Sequence, residues 1–132
     1  MYGYVKVGSA VPKLRVADCV YNKEEILKLV EAAAAKQVRV LSFPELSVTG
    51  YTCADLFFQA PLLHAAEQAI QEIAEATEAL NIFLLIGAPI AVDNQMFNCA
   101  VALYKGKLLG IVPKTHIPNY SEFYEERWFA SA

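Results

Sequence analysis

The sequence lacks any apolar run long enough to cross a membrane as a helix. Its longest run, Ile82 to Val92, is much shorter than the ~20 residues that a membrane-spanning helix needs. The first residues show no basic stretch followed by an apolar core, so no secretory signal is predicted. Basic residues are also scarce, because 11 Lys and Arg stand against 14 Asp and Glu and leave a net charge of −3. These absences argue against a membrane or a nucleic acid as a partner.

Cysteine is also rare in this chain. The three residues, Cys19, Cys53 and Cys99, are odd in number and form no CxxC or CxxH pattern. We therefore predict reduced thiols in a cytoplasmic protein, with neither a disulfide framework nor a metal site. A buried apolar role is the commoner one for such cysteines, and a nucleophilic role for Cys53 or Cys99 remains the alternative.

Motifs of two large enzyme classes are missing. The sequence contains neither GxGxxG nor GxSxG, so a dinucleotide-binding fold and an α/β-hydrolase are not supported. Apolar residues, in contrast, make up 56% of the chain, against about 45–50% in typical globular proteins. This excess predicts that a partner chain, or another part of the same chain, covers some of the surface of these 132 residues.

Hydrophobic periodicity predicts an alternation of strands and helices. Asn22 and Glu25 resemble a capping box and place a helix start at Asn22. The predicted elements are a strand over 4–11, a helix over 22–36, a strand over 38–43, a helix over 61–80, a strand over 82–90 interrupted by Gly87 and Pro89, strands over 96–104 and 107–112 joined as a hairpin at Lys105-Gly106, and a helix or ordered loop over 120–129. The order β-α-β-α-β-β-β predicts a layered α/β fold whose sheet is covered on both faces.

Two charged residues follow predicted strands, where α/β proteins bind their ligands. Glu45 lies just past a buried strand beside Leu46 and Val48, and apolar surroundings favour use of a carboxyl group as a general base. Lys114 follows the last strand, and a lysine held beside a glutamate can stabilise an oxyanion. Taken singly, each could equally be an ordinary surface residue.

Other polar residues give weaker signals. The stretch 119–129 mixes aromatic and charged residues, which is typical either of a pocket lining or of a helix that faces a partner. His64 is expected on a helix surface. His116, close to Lys114, is expected at the surface or in a supporting position.

Three segments together resemble the nitrilase superfamily of carbon–nitrogen hydrolases. Phe43-Pro44-Glu45-Leu46 with Thr49-Gly50-Tyr51 is similar to the glutamate motif of that superfamily. Val112-Pro113-Lys114 is similar to its lysine motif. The segments 10–18, 51–57 and 114–125 resemble more narrowly the glutaminase domains of glutamine-dependent NAD⁺ synthetases. The resemblance extends over the whole chain.

The resemblance implies a Glu-Lys-Cys mechanism in which a cysteine thiolate attacks the side-chain amide of glutamine and releases ammonia. It implies that Glu45 is the general base, that Lys114 holds the oxyanion and that Glu125 orients the lysine. Tyr120 is expected to contact glutamine, and Tyr51 is expected to line the same pocket. The resemblance implies no metal ligand in this segment.

None of the three cysteines occupies the position of the superfamily's nucleophile. Residues 1–132 are therefore expected to be the N-terminal part of the carbon–nitrogen hydrolase domain, the first half of a four-layer αββα sandwich, and inactive alone. The nucleophile and an ATP- and Mg²⁺-dependent synthetase domain, which would use the ammonia to amidate nicotinic acid adenine dinucleotide, would lie outside them. A homo-oligomer is expected by resemblance. A stand-alone nitrilase-type amidase and a non-catalytic interaction module are the alternatives.

Overall fold

A computed structural model describes residues 3–132 and confirms the mixed α/β class. Within these residues, five strands and two α-helices follow one another in the predicted order β-α-β-α-β-β-β. They are β1 (Val7–Ser9), α1 (Cys19–Ala35), β2 (Val40–Ser42), α2 (Ala60–Ala76), β3 (Phe83–Val92), β4 (Gln95–Tyr104) and β5 (Lys107–Pro113). Two short 3₁₀ helices, Ala54–Phe58 and Glu125–Arg127, lie in the connections. The first two strands are shorter than predicted.

The five strands form one mixed sheet in the order β1-β2-β3-β4-β5. The first three are parallel, and β3, β4 and β5 pair as antiparallel hairpins. The predicted hairpin turn at Lys105-Gly106 is confirmed. A second tight turn at Asp93-Asn94 has positive φ angles at both residues, which Asp and Asn tolerate well in hairpins.

The predicted interruption of β3 is wrong, because this strand runs without a break through Gly87 and Pro89. β2 pairs with β3 only as far as Leu85. Pro89 lies beyond that point, so β2 is not its neighbour there. The N–H that proline lacks therefore removes no hydrogen bond between β3 and β2.

The predicted start of α1 at Asn22 is also wrong. Asp18 caps the helix, because its side chain accepts a hydrogen bond of 3.0 Å from the Tyr21 N–H. Asn22 lies one turn inside the helix and is fully buried. Its amide bonds instead to the backbone N–H and C=O of Arg15 and to the C=O of Val48. Asn22 therefore fastens two loops to α1.

The core lies between the helices and one face of the sheet. On the strands, the buried side chains of this face are Leu41, Leu84, Ile86, Ala88, Val101 and Leu103. On the helices, the buried side chains include Ile26, Val30, Leu62, Ala66, Ile70 and Ile73. The other face carries Val7 and Val112, which are 66% and 65% exposed. The expectation of a sheet covered on both faces therefore does not hold within residues 3–132, and the four-layer sandwich stays a prediction.

Candidate active site

The turn that carries Glu45 lies directly against β3. The Phe43 N–H donates to the Leu85 C=O at 2.9 Å, and the Val48 N–H donates to the Gly87 C=O at 3.1 Å. A Cβ atom at Gly87 would lie 2.3 Å from the Leu46 nitrogen, so only glycine permits this close approach. The position of Glu45 is therefore set by backbone contacts of the turn with a central strand.

Lys114 reaches the same point from the end of β5. Its Nζ lies 2.8 Å from Glu45 Oε1 and 3.1 Å from Glu125 Oε2. The side chain of Glu125 is only 3% exposed, so one ammonium group bridges an accessible and a buried carboxylate. The three polar residues that the resemblance assigned to catalysis and to orientation of the lysine thus meet in one cluster.

Tyr51 joins this cluster through Glu125. Its hydroxyl donates a hydrogen bond of 2.7 Å to Glu125 Oε1. Burial, together with this bond and the nearby carboxylates, raises the pKa of Tyr51 above its ordinary value. Tyr51 therefore stays protonated at neutral pH and acts as a hydrogen-bond donor to Glu125.

The charge of Lys114 is maintained by its two carboxylate partners. Partial burial acts to lower the pKa of Lys114, but the hydrogen bonds and negative charges of Glu45 and Glu125 outweigh this effect and raise it. The ammonium group is thus fully charged at neutral pH and can attract a developing negative charge.

Asn98 is part of this cluster and was not identified from the sequence. Its side-chain amide donates to Glu45 Oε1, and the residue is only 3% exposed. Its backbone C=O accepts a hydrogen bond of 2.8 Å from the Lys114 N–H. The signal in the sequence was an asparagine within a predicted apolar strand, because a buried polar side chain normally has a hydrogen-bond partner.

Tyr120 is not brought into the cluster. It is 69% exposed and packs edge-to-face with Phe123 at a ring distance of 5.7 Å. With Lys114, the exposed His116 and Glu126, it lines a separate cleft of about 720 Å³. A contact between Tyr120 and glutamine therefore stays a prediction, and the expected surface positions of His116 and His64 agree with the structure.

A surface ion pair fixes the segment that carries Glu125. Arg127 donates two hydrogen bonds to the Asp55 carboxylate, at 2.7 and 2.9 Å, and Trp128 Nε1 donates a third at 3.0 Å. These donors hold the pKa of Asp55 well below its usual range. The pair connects the 3₁₀ helix after the Glu45 turn to the chain around Glu125. This pair was not identified from the sequence.

The three cysteines have the buried positions expected for structural residues. Each is at most 4% exposed, and burial raises the pKa of all three thiols, to about 11 for Cys19 and Cys99. Cys99 adjoins Asn98 in β4, so its side chain points to the opposite side of the sheet. None of the three is prepared to act as a thiolate beside Glu45.

The Glu45 and Lys114 side chains border a cleft of about 270 Å³ on the open face of the sheet. The remaining lining is largely apolar, with Phe43, Pro44, Leu85, Gly87, Ala100 and Val112 among its residues. A carboxylate beside an ammonium group in such a cleft can accept a proton from a nucleophile and stabilise an oxyanion. In residues 3–132, no group of three or more His, Cys, Asp or Glu side chains is placed to hold a metal ion, and no helix is long and apolar enough to cross a membrane.

Comparisons with known proteins identify the family of this chain. Residues 6–131 match the family model described as carbon–nitrogen hydrolase. The glutamine-dependent NAD(+) synthetase of Mycobacterium leprae is 35% identical over 128 residues, which are 97% of this chain and 19% of that protein. The chain thus spans about a fifth of the length of this curated relative.

Two solved structures illustrate the fold. A glutamine-dependent NAD(+) synthetase from Cytophaga hutchinsonii superimposes with a TM-score of 0.91 at 30% identity, covering 96% of this chain and 22% of that one. An amidase from Nesterenkonia sp. superimposes with a TM-score of 0.75 at 21% identity, covering 94% of this chain and 47% of that one. At this identity, the second likeness concerns the fold alone.

Proposed function

Because the chain belongs to the carbon–nitrogen hydrolase family, we propose that it supplies the base and the lysine of a site that releases ammonia from glutamine. One observation carries this proposal. Lys114 Nζ lies 2.8 Å from Glu45 Oε1 and 3.1 Å from Glu125 Oε2, although these residues come from three separate segments. Glutamine is the proposed substrate because the synthetase relatives are named for their dependence on it.

The reaction would proceed through a covalent thioester. Glu45 takes the proton of a cysteine thiol while the sulfur attacks the amide carbon of glutamine, and the carbonyl oxygen becomes negatively charged beside Lys114. Collapse of this intermediate breaks the C–N bond, and the nitrogen leaves as ammonia with the proton from Glu45. Water, deprotonated by the same carboxylate, then hydrolyses the thioester to glutamate and restores the thiol.

The attacking cysteine would come from a part of the protein outside residues 1–132. The burial and raised pKa values of Cys19, Cys53 and Cys99 support this assignment. The open cleft beside Glu45 and Lys114 offers a place for an incoming thiol. A second sheet that brings this thiol would also cover the exposed Val112 and complete the proposed αββα sandwich.

The whole protein would use the ammonia to amidate nicotinic acid adenine dinucleotide. The names of the relatives support this step, which would need ATP and Mg²⁺ in a separate synthetase domain. No residue of this chain is assigned to either of them. We further propose a cytoplasmic location and a homo-oligomeric assembly for the whole protein.

Ammonia release from glutamine by the intact protein that carries this chain tests the proposal. Glu45→Gln keeps the size of the side chain but removes the base, and Lys114→Met removes the ammonium group. Each is expected to lower kcat by about 10³-fold. Glu24→Gln removes an exposed carboxylate on α1 and should leave kcat unchanged.

Full activity of Glu45→Gln or Lys114→Met would refute the proposed function. The substrate range distinguishes the amidase alternative, since a stand-alone amidase would cleave simple aliphatic amides at rates comparable to glutamine. The isolated 132-residue chain is expected to bind no acyl group, and thioester formation on it would contradict the proposed origin of the cysteine.

A further inference from the structure

We infer that Asn98 is a positioning residue of the site, which commits one oxygen of Glu45 to hydrogen bonding and leaves the other to take the proton. This inference rests on the proposed function and adds to it the identity of the proton-accepting atom. It concerns a residue in the middle of β4, outside the segments that resemble the glutamate and lysine motifs.

The two oxygens of Glu45 have different surroundings. Oε1 accepts hydrogen bonds from the Asn98 amide and from Lys114 Nζ. Among residues 3–132, no group forms a hydrogen bond with Oε2. An oxygen with two donors is a poor proton acceptor, so the proton of the nucleophile would be transferred to Oε2.

Asn98 is held firmly enough to impose this arrangement. It is 3% exposed and lies opposite Pro89 in the ladder between β3 and β4. Its own C=O accepts the Lys114 N–H at 2.8 Å. One residue thus contacts the base through its side chain and the lysine through its backbone, so this strand position contributes to the separation between the two groups.

The chemistry of an amide suits this task. A side-chain amide donates hydrogen bonds but does not exchange its proton with a carboxylate at neutral pH. In the proposed step the thiol S–H bond breaks, its electron pair stays on sulfur, and an O–H bond forms at Oε2. The Asn98 amide keeps both of its protons throughout, so it orients Glu45 without competing for the transferred proton.

Two substitutions in the intact protein test the inference by ammonia release from glutamine. Asn98→Leu keeps the branched shape and removes the donor, so kcat should fall by about 10²-fold while KM changes by less than about threefold. Asn98→Asp provides a donor only when the introduced carboxyl is protonated. Its activity relative to the parent protein should therefore rise as the pH falls from about 8 to about 5.

Thr77→Val serves as the control for loss of a buried polar group. Thr77 is 3% exposed, and its hydroxyl bonds to the Ile73 C=O at the end of α2, so this change should lower the melting temperature without lowering kcat. If Asn98→Leu does not fold, the pH dependence of Asn98→Asp still decides the question. Parent-like kcat in Asn98→Leu, or a pH-independent activity ratio in Asn98→Asp, would overturn the inference. Glu45→Gln would remain inactive in that case, whereas an active Glu45→Gln variant would overturn the proposed function itself.

Discussion

Replacing Gly87 by alanine should move Glu45, the proposed general base, away from Lys114. The added Cβ would lie 2.3 Å from the Leu46 nitrogen, 2.6 Å from the Pro44 oxygen and 2.8 Å from the Glu45 carbonyl carbon. All three are backbone atoms, so no side chain can rotate to make room. Ordinary contact begins at 3.4 Å, so the Glu45 turn must withdraw from β3 by about 1 Å.

This displacement should be more harmful to catalysis than to folding. A misplacement of about 1 Å in a catalytic group can cost on the order of 10²-fold in rate. The overpacking should lower the free energy of unfolding by only about 1–3 kcal/mol. Ammonia release from glutamine measures the first effect in the intact protein, and urea unfolding of the chain measures the second.

Gly110→Ala is the matched control for this experiment. Gly110 lies in the same sheet, and a Cβ atom there would meet nothing within 4 Å. This variant should keep the stability of the chain in urea. The reasoning would be refuted if Gly87→Ala kept the parent rate, or if its crystal structure still showed 2.8 Å between Glu45 Oε1 and Lys114 Nζ.

Four further changes test the surroundings of the site. Glu125→Gln removes the buried charge beside Lys114, so kcat should fall by on the order of 10²-fold. Tyr51→Phe removes one hydrogen bond to that carboxylate and should lower kcat about tenfold. Equal losses of kcat in the two variants would contradict this order. Asn22→Leu leaves three backbone groups without their partner and should lower the free energy of unfolding in urea by about 3 kcal/mol; a change below about 1 kcal/mol would show that water replaces the amide. Because the pKa of Asp55 is lowered in the folded state, its ion pair stabilises the fold above the ordinary pKa of aspartate, about 4, and loses this effect as the pH falls through the lowered value. Asp55→Asn should therefore reduce the melting temperature at about pH 6 and reduce it by a smaller amount at about pH 2, and an equal reduction at both would exclude this ion pair as the cause.

The order of the elements and two of the site residues could be predicted because their signals are local. Strands and helices show their own period in the sequence, and Glu45 and Lys114 directly follow strands. The errors arose where two residues could each cap the same helix, or where a contact with a neighbouring segment decides the structure. Asp18 and Asn22 are both good capping residues, and only the loop at Arg15 shows that the second has another use.

The remaining features depend on how distant segments meet. The contact of Asn98 with Glu45 requires the turn to lie on β3, which depends on the missing side chain of Gly87. The pairing of Asp55 with Arg127 joins residues 72 positions apart. No periodicity or short motif reports such pairs, because they follow from the folded path of the chain.

The separation of the two charged partners along the chain has a consequence for biosynthesis. Glu45 and Lys114 are 69 positions apart, and the buried carboxylate that completes their cluster follows another 11 residues later. A ribosome delivers the chain from its N-terminus, so the glutamate is made long before the groups that hold it. Contacts of such high sequence separation form slowly, and the nascent polypeptide can thus pack its first helix well before this charged cluster can form.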